Sequence, residues 1–308
     1  MGEYILITPA KNEEDNLPEV ADSVINQSVR PRLWVIVDDG SVDNTPEIIK
    51  ELARNYSWIK HLRLPPQRVC SSTFCKRGFR IAYVCKSGID YAINYSKKHK
   101  IGFNYLGILD SDTIIEPNYF EKLIKALEKN ERLGIVSGGV HYLERNGKLR
   151  WEHTRLDMPR NTGRLYRKEI ILDLRYPIEP SHDTILVIKA KNRGWRTAQL
   201  KEVIAIQKRL THSSGGFWKG KFYLGEVHYY IDAGLDTVLL HFLLYSCRYP
   251  FYTGLAYLCG YLSMLVNKSP KILDVEIREY NAKRGRYALK YYIKYYTKKL
   301  KTFFIEIF

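Results

Sequence analysis

Cysteine is sparse and unpatterned. The five cysteines, Cys70, Cys75, Cys85, Cys247 and Cys259, include no Cys-x-x-Cys pair and no histidine at zinc-like spacing. That excludes a small zinc module and a disulfide framework, and it fits reduced thiols in a cytosolic protein, most of them buried as small hydrophobes. The N-terminus lacks a basic segment followed by a long apolar one, so export is not expected. No internal repeat, low-complexity tract or clear linker interrupts the chain before about residue 210. With only 12 prolines and 45% hydrophobic residues among 308, the chain is not disordered and can bury a substantial core.

Charge is plentiful but uneven. The formal net charge is +16, yet residues 1–60 hold 6 Lys/Arg against 11 Asp/Glu, whereas residues 268–308 hold 11 Lys/Arg against 4 Asp/Glu. The two ends therefore meet different partners. A basic excess of this size suits nucleic acid, an anionic membrane surface or phosphorylated substrates, and charge alone does not choose among them.

The first hundred residues alternate between two periodicities. Tyr4–Ile7 is a short β-favouring run that leads into a loop at Thr8-Pro9-Ala10. The polar stretch Lys11–Asn16 opens a helix with Leu17, Val20, Val24 and Ile25 on one face. A second strand, Leu33–Val37, stops at Asp38-Asp39-Gly40-Ser41. Thr45 then suits an N-cap and Pro46 a first helical residue, ahead of Ile48, Ile49, Leu52 and Ala53. Strand, helix, strand, helix at this spacing predicts a parallel sheet with right-handed crossovers. Further strands are expected at Trp58–Leu64, Tyr105–Leu109, Ile135–Val140 and Lys148–Leu156. Lys76–Tyr95 reads as a glycine-containing loop entering a helix, and Phe120, Leu123, Ile124 and Leu127 mark another helix face.

Parallel sheets bind ligands at the carboxyl ends of their strands. Thr8–Glu13, Asp38-Asp39 and Asp110-Ser111-Asp112 all fall at such ends, so three polar clusters should converge on one rim. In extended backbone, Asp110 and Asp112 would point to the same side. A pair of carboxylates so placed suits a hard divalent cation, which takes oxygen ligands and completes its shell with water and substrate phosphates. A solvated strand-to-turn junction would show the same pattern.

Three motifs in this order, Pro9-x-x-Asn12-Glu13, Val37-Asp38-Asp39-Gly40-Ser41-x-Asp43-x-Thr45 and Asp110-Ser111-Asp112, resemble the family 2 glycosyltransferases. The resemblance covers roughly residues 3–210. It implies an α/β fold of GT-A type, Rossmann-like, with a mixed, mainly parallel central sheet flanked by helices and an α-helical C-terminal extension. It implies a catalytic domain over residues 1–210, and the residues beyond it read as a helical, basic and aromatic region over 211–308, a candidate for membrane association. The first loop and the Asp-Asp-Gly-Ser turn would hold the base and ribose of a nucleotide sugar, through Pro9, Lys11, Glu13, Val37, Asp38 and Asp39. Asp110, Ser111 and Asp112 would face the diphosphate, with Asp110 and Asp112 binding Mg²⁺ or Mn²⁺, a Lewis acid for the leaving group.

Family members place an acidic pair ahead of a helix that carries the base. The matching stretch is Ser181-His182-Asp183-Thr184, then Asn192-Arg193-Gly194-Trp195, with His182 where the family usually has Glu. Asp183 is the expected base, and displacement by a single base inverts the anomeric centre. A helix cap is the alternative role for Asp183. Gln207-Lys208-Arg209 loosely matches a Gln/Arg-rich family motif, which makes Arg209 a candidate diphosphate or acceptor contact.

In the last third, Val238–Cys247 and Phe251–Val266 are strongly apolar, divided by Arg248-Tyr249-Pro250. Each half falls short of the about 20 residues that span a bilayer. Buried core helices and a segment lying in the membrane interface both fit. Asp274–Phe308 reads as a helix with Leu289, Tyr292, Tyr296, Leu300 and Phe303 along one side and Lys290, Lys294, Lys298 and Lys301 beside them. Such a helix suits an anionic membrane surface or packing with a solvated basic edge. The expected activity is therefore an inverting, metal-dependent transfer from a nucleotide-diphosphate sugar, with UDP-sugar the leading donor, to a hydroxyl of a glycan or lipid-linked acceptor at the cytoplasmic face of a membrane. A polyprenyl-phosphate glycosyl synthase, a non-catalytic nucleotide-sugar binder and a basic RNA-binding protein stay open.

Overall fold

The computed structural model describes residues 2–66, 76–143, 148–152, 155–208, 216–247 and 249–283. The chain divides into two compact units, Met1–Leu210 and Thr211–Phe308.

The first unit is built on a nine-stranded sheet in the order β3-β2-β1-β4-β8-β6-β9-β5, with β7 paired to β6. Its parallel half comprises β1 (Tyr4–Ala10), β2 (Leu33–Asp38), β3 (Ile59–Arg63) and β4 (Tyr105–Ile108). β8 (Arg164–Arg167) then runs antiparallel between β4 and β6 (Leu133–Leu143). β9 (Arg196–Gln207) returns parallel to β6, and the short β5 (Thr113–Ile115) closes the edge. β7 is only Leu149–Trp151.

Both faces of this sheet are covered, which is why β1 and β2 read as continuous apolar runs. Alternate side chains go to opposite sides. Tyr4, Leu6, Trp34 and Ile36 pack under α1 (Leu17–Ile25) and α4 (Tyr119–Lys129). Ile5, Ile7, Leu33, Val35 and Val37 pack with α3 (Lys76–Lys98) and α6 (His182–Asn192). A polar pair inside this region is satisfied, because the Trp34 indole N–H donates to Thr8 Oγ1 at 2.9 Å. Burying two polar groups costs little when they bond each other.

Several sequence expectations change here. β1 continues through Thr8-Pro9-Ala10, which is strand and not loop. Lys76–Tyr95 is helix throughout. Gly88 marks a close approach there: a Cβ at that position would lie 2.7 Å from both Ile7 Cγ2 and Val37 Cγ2. In α2 (Thr45–Asn55) the N-cap position belongs to Asn44, so Thr45 is not the cap. Of the three described cysteines only Cys85 is buried, Cys259 is half-buried and Cys247 exposed, so burial is not their common property. Cys70 and Cys75 lie outside the described residues.

The second unit contains α7 (Phe217–Tyr230), α8 (Leu235–Ser246) and α9 (Thr253–Val266), followed by helical residues 275–283. The expected helix face at Leu289, Tyr292, Tyr296, Leu300 and Phe303 lies outside the described residues. Among those described, no helix is long and apolar enough to cross a membrane.

Candidate active site

The carboxyl ends of β1, β2 and β4 lie on one rim. Ala10 pairs with Asp38 and Ile7 with Ile108. Beyond those ends, the segments after β1 and β2 are stitched together by hydrogen bonds from backbone N–H groups to side chains. The Asn12 N–H donates to Ser41 Oγ at 3.0 Å, and the Val42 N–H donates back to Asn12 Oδ1 at 2.9 Å. Glu14 and Asn44 continue the pattern, with the Glu14 N–H on Asp43 Oδ2 and the Asn44 N–H on Glu14 Oε2. Thr45 Oγ1 accepts the Glu13 N–H at 2.8 Å, which is the work that hydroxyl does in place of capping. Asn12 and Gly40 both hold left-handed backbone, at φ 53° and 66°. Asn and Gly are the residue types that adopt this region at least cost.

The candidate donor residues occupy different depths. Pro9 is paired with Val37 across the β1–β2 ladder. Val37 is fully buried in the core. Asp38 is also fully buried: Oδ1 accepts the Ser41 N–H at 2.8 Å, and Oδ2 lies 3.4 Å from Arg63 Nε and 3.8 Å from His61 Nε2. It holds the turn together. Glu13 is buried and its Oε2 accepts from Asn16. Asp39 is clamped from two sides, by Arg80 Nε at 2.6 Å and Lys11 Nζ at 3.3 Å. Arg80 comes from α3 and carried no sequence signal, because it is one of several cations in a basic stretch.

Asp110-Ser111-Asp112 differs from expectation in backbone. β4 ends at Ile108, and the three residues form a turn in which the Thr113 N–H reaches the Asp110 carbonyl at 3.3 Å. The turn is tied from below: Thr162 Oγ1 accepts the Asp110 N–H at 3.3 Å and donates to Thr113 Oγ1 at 2.9 Å. Ser111 and Asp112 are both largely buried.

Asp183 belongs to the same cluster. It lies in the first turn of α6, one residue inside the helix, so it is not the N-cap. Arg164 delivers it. That residue is 2% exposed and pairs with Ile108 across the β8–β4 ladder. Its Nη1 donates to the Asp183 carbonyl at 2.8 Å, and its Nη2 lies 3.7 Å from Asp183 Oδ2. Burial opposes ionisation of Asp183, but Arg164 and then His182 outweigh it and hold the carboxyl below its usual range. Asp110 goes the other way. Burial, then the carboxylates of Asp112 and Asp183, push it up to about 7. His182 is buried against Tyr176, and burial lowers its pKa.

Among the described residues, no group of three or more His, Cys, Asp or Glu side chains can hold a metal unaided. Two carboxylates backed by a third still fit a divalent cation that draws its other ligands from water and substrate phosphates. Their mutual repulsion, visible in Asp110, is what such a cation would relieve. Arg209 lies outside the described residues.

The family described as Glycosyl transferase family 2 matches residues 5–180. Among curated relatives, the chondroitin synthase of Pasteurella multocida (strain Pm70) is 28% identical over 128 residues, 42% of this chain and 11% of that protein. The poly-beta-1,6-N-acetyl-D-glucosamine synthase of Staphylococcus epidermidis is 28% identical over 127 residues, 41% of this chain and 26% of that one. The matched segments thus span 11% and 26% of these relatives. Two solved structures share the fold at a TM-score of 0.53 and 15% identity. S. aureus TarS 1-349 in complex with UDP-GlcNAc covers 86% of this chain and 79% of its own. The mannosyltransferase PcManGT from Pyrobaculum calidifontis, in complex with GDP-Man and Mn²⁺, covers 96% and 83%. The sheet order, the rim and these likenesses together make this a GT-A fold, and the chain belongs to glycosyl transferase family 2.

Proposed function

We propose that the enzyme is an inverting, metal-dependent glycosyltransferase that moves a sugar from a nucleotide-diphosphate donor to a hydroxyl of a glycan or lipid-linked acceptor. The observation that carries this reading is the pairing of Arg164 with Asp183 beside Asp110 and Asp112. It separates two carboxylate roles by environment: one group held ionised, the other gathered with a neighbour where charge accumulates.

In this reading the stitched rim of Lys11, Glu13 and Asp39 receives the base and ribose, and Asp110 and Asp112 face the diphosphate. A bound Mg²⁺ or Mn²⁺ would neutralise charge on the departing nucleoside diphosphate. Asp183 accepts the proton of the acceptor hydroxyl as its oxygen attacks the anomeric carbon opposite the leaving group, which inverts that centre. Arg164 keeps Asp183 ionised and aimed. A UDP-sugar is the preferred donor, supported by the UDP-GlcNAc complex of TarS, while the GDP-Man complex of PcManGT keeps GDP-sugars in the panel. We place the reaction at the cytoplasmic face of an anionic membrane, supported by the eight basic residues and no acid between Lys283 and Lys301.

A thermal-shift panel of UDP- and GDP-sugars with and without Mn²⁺ tests the donor site, since ligands that bind only the folded state stabilise it. The reading requires a shift for at least one nucleotide sugar that grows with Mn²⁺. Failure of every donor to shift the transition, with or without metal, overturns it.

A further inference from the structure

The helical unit buries polar side chains within its apolar interior and leaves aliphatic rows outside. Inside it, His228, His241, Thr237 and Tyr257 are all at most 9% exposed. His228 Nδ1 lies 2.6 Å from Tyr257 Oη, and His241 Nδ1 lies 2.8 Å from the Thr237 carbonyl. The two imidazole rings meet edge to face at 4.9 Å. Glycines make this interior tight: a Cβ at Gly225 would run into the Tyr257 carbonyl, and one at Gly260 into the Phe222 carbonyl, so α7 and α9 touch backbone to backbone.

The outside of the same helices is aliphatic. On α8, Leu235, Leu239 and Leu243 are 69%, 58% and 57% exposed. They recur at i, i+4 and i+8, which is one helix face. On α9, Leu255, Leu262 and Val266 are 53%, 43% and 79% exposed, again a single face at i, i+7 and i+11. Single exposed leucines are ordinary, but aligned rows on adjacent helices are not. A helix that turns histidine inward and leucine outward is matched to an apolar surrounding.

We infer that the leucine faces of α8 and α9 lie in the headgroup–acyl boundary of a lipid bilayer and form the enzyme's membrane-docking surface, an inference that rests on the membrane-associated reading above. Two observations select lipid over a second protein, and a third sets the depth. First, the connection between the two helices is aromatic: Tyr249 is 88% exposed and Phe251 64%, with rings 6.2 Å apart. Aromatic rings of this kind favour the headgroup level. Secondly, between Asp236 in the first turn of α8 and Asp274 there is no acid, but there are Arg248, Lys268 and Lys271, the last paired with Asp232, a local bias that suits anionic lipid. Thirdly, the helices are too short to span. At 1.5 Å per residue, the 12 residues of α8 and 14 of α9 reach about 18 and 21 Å, against about 30 Å of hydrocarbon. A shallow hairpin lying in the interface satisfies all three.

The test is flotation of the full chain with 7:3 phosphatidylcholine/phosphatidylglycerol vesicles, wild type against a Leu239→Glu/Leu243→Glu/Leu262→Glu variant. All three side chains are exposed, and an unchanged melting temperature certifies the fold. The expected result is vesicle binding by wild type and at least a tenfold lower partition for the variant. Binding of the variant as tight as wild type overturns the α8–α9 surface while leaving membrane association intact, with residues 283–301 as the attachment. Absence of binding by both overturns both readings. A concentration-dependent dimer abolished by the substitutions, without any effect on vesicle binding, shows that a second copy covers this face and also overturns the inference. Donor thermal shifts measured without vesicles report on the catalytic reading separately.

Discussion

Arg164 and Asp183 are joined twice, once through the backbone carbonyl of Asp183 at 2.8 Å and once through its carboxylate at 3.7 Å. The guanidinium is itself locked, donating to the carbonyls of Arg160 and Pro159 and to Tyr166 Oη. A fork with this many fixed partners orients as well as neutralises. Arg164→Met removes the largest effect opposing burial of Asp183, so the acid limb of the kcat profile should move to higher pH. The sign also governs stability: a carboxyl held below its unfolded value stabilises the native state above that value and ceases to do so as pH falls through the folded one. Arg164→Lys should retain part of the shift but lose the aim, lowering kcat more than it raises KM. An unmoved acid limb in Arg164→Met argues against Asp183 as the ionised base.

Asp183→Asn removes the proposed proton acceptor with almost no change in shape. Transfer to a hydroxyl acceptor should fall by roughly 10²–10⁴-fold, the usual worth of a positioned base, while donor-induced thermal shifts persist. A lipid phosphate acceptor is already ionised, so near-normal turnover by this variant would point to such an acceptor instead.

Asp110 supplies a pH prediction of opposite sign. Its pKa is pushed to about 7, so in EDTA-treated protein the native state holds a proton that the unfolded chain has released, and stability declines as pH rises from about 4 to 7. Asp110→Asn should therefore be more stable than wild type at pH 8, by an amount on the order of a few kcal/mol, with the gap closing at pH 4. The same substitution should abolish the Mn²⁺-dependent part of any donor-induced shift. Equal denaturation midpoints at pH 8 would show that Asp110 is not under this strain.

Gly88→Val places methyl groups where Ile7 and Val37 already pack against α3. Overfilling a closed core costs about 1–3 kcal/mol, and the melting temperature should drop by several degrees. Gly194→Ala is a useful contrast. Nothing lies within 4 Å of its Cβ, but φ is +85°, so any loss there comes from backbone strain alone.

The sequence makes the rim legible because its three polar clusters interrupt strongly apolar strands, so Thr8–Glu13, Asp38-Asp39 and Asp110-Ser111-Asp112 mark strand ends by contrast. It conceals what depends on distant partners. β5, β8 and β9 are held by pairing with strands far away in sequence, and Arg164 looks like any other arginine until β8 is set beside β4. Local rules also mislead in two places. The glycines of Lys76–Tyr95 suggest a loop where the backbone is helix and Gly88 admits Ile7 and Val37, and Thr45 suggests a cap where its hydroxyl is already taken by Glu13. Arg80 is hidden for a similar reason, since only the fold brings α3 against Asp39.

The stitching between the segments after β1 and β2 has a consequence for how affinity is distributed. Two loops that would each need ordering behave as one rigid edge, and the entropy of fixing them is spent during folding and not when a nucleotide arrives. Ser41 and Thr45, which need touch no ligand, then become determinants of donor binding. Replacing either with alanine loosens the edge, and the weaker grip would be seen as faster donor release from an enzyme whose contact residues are all intact.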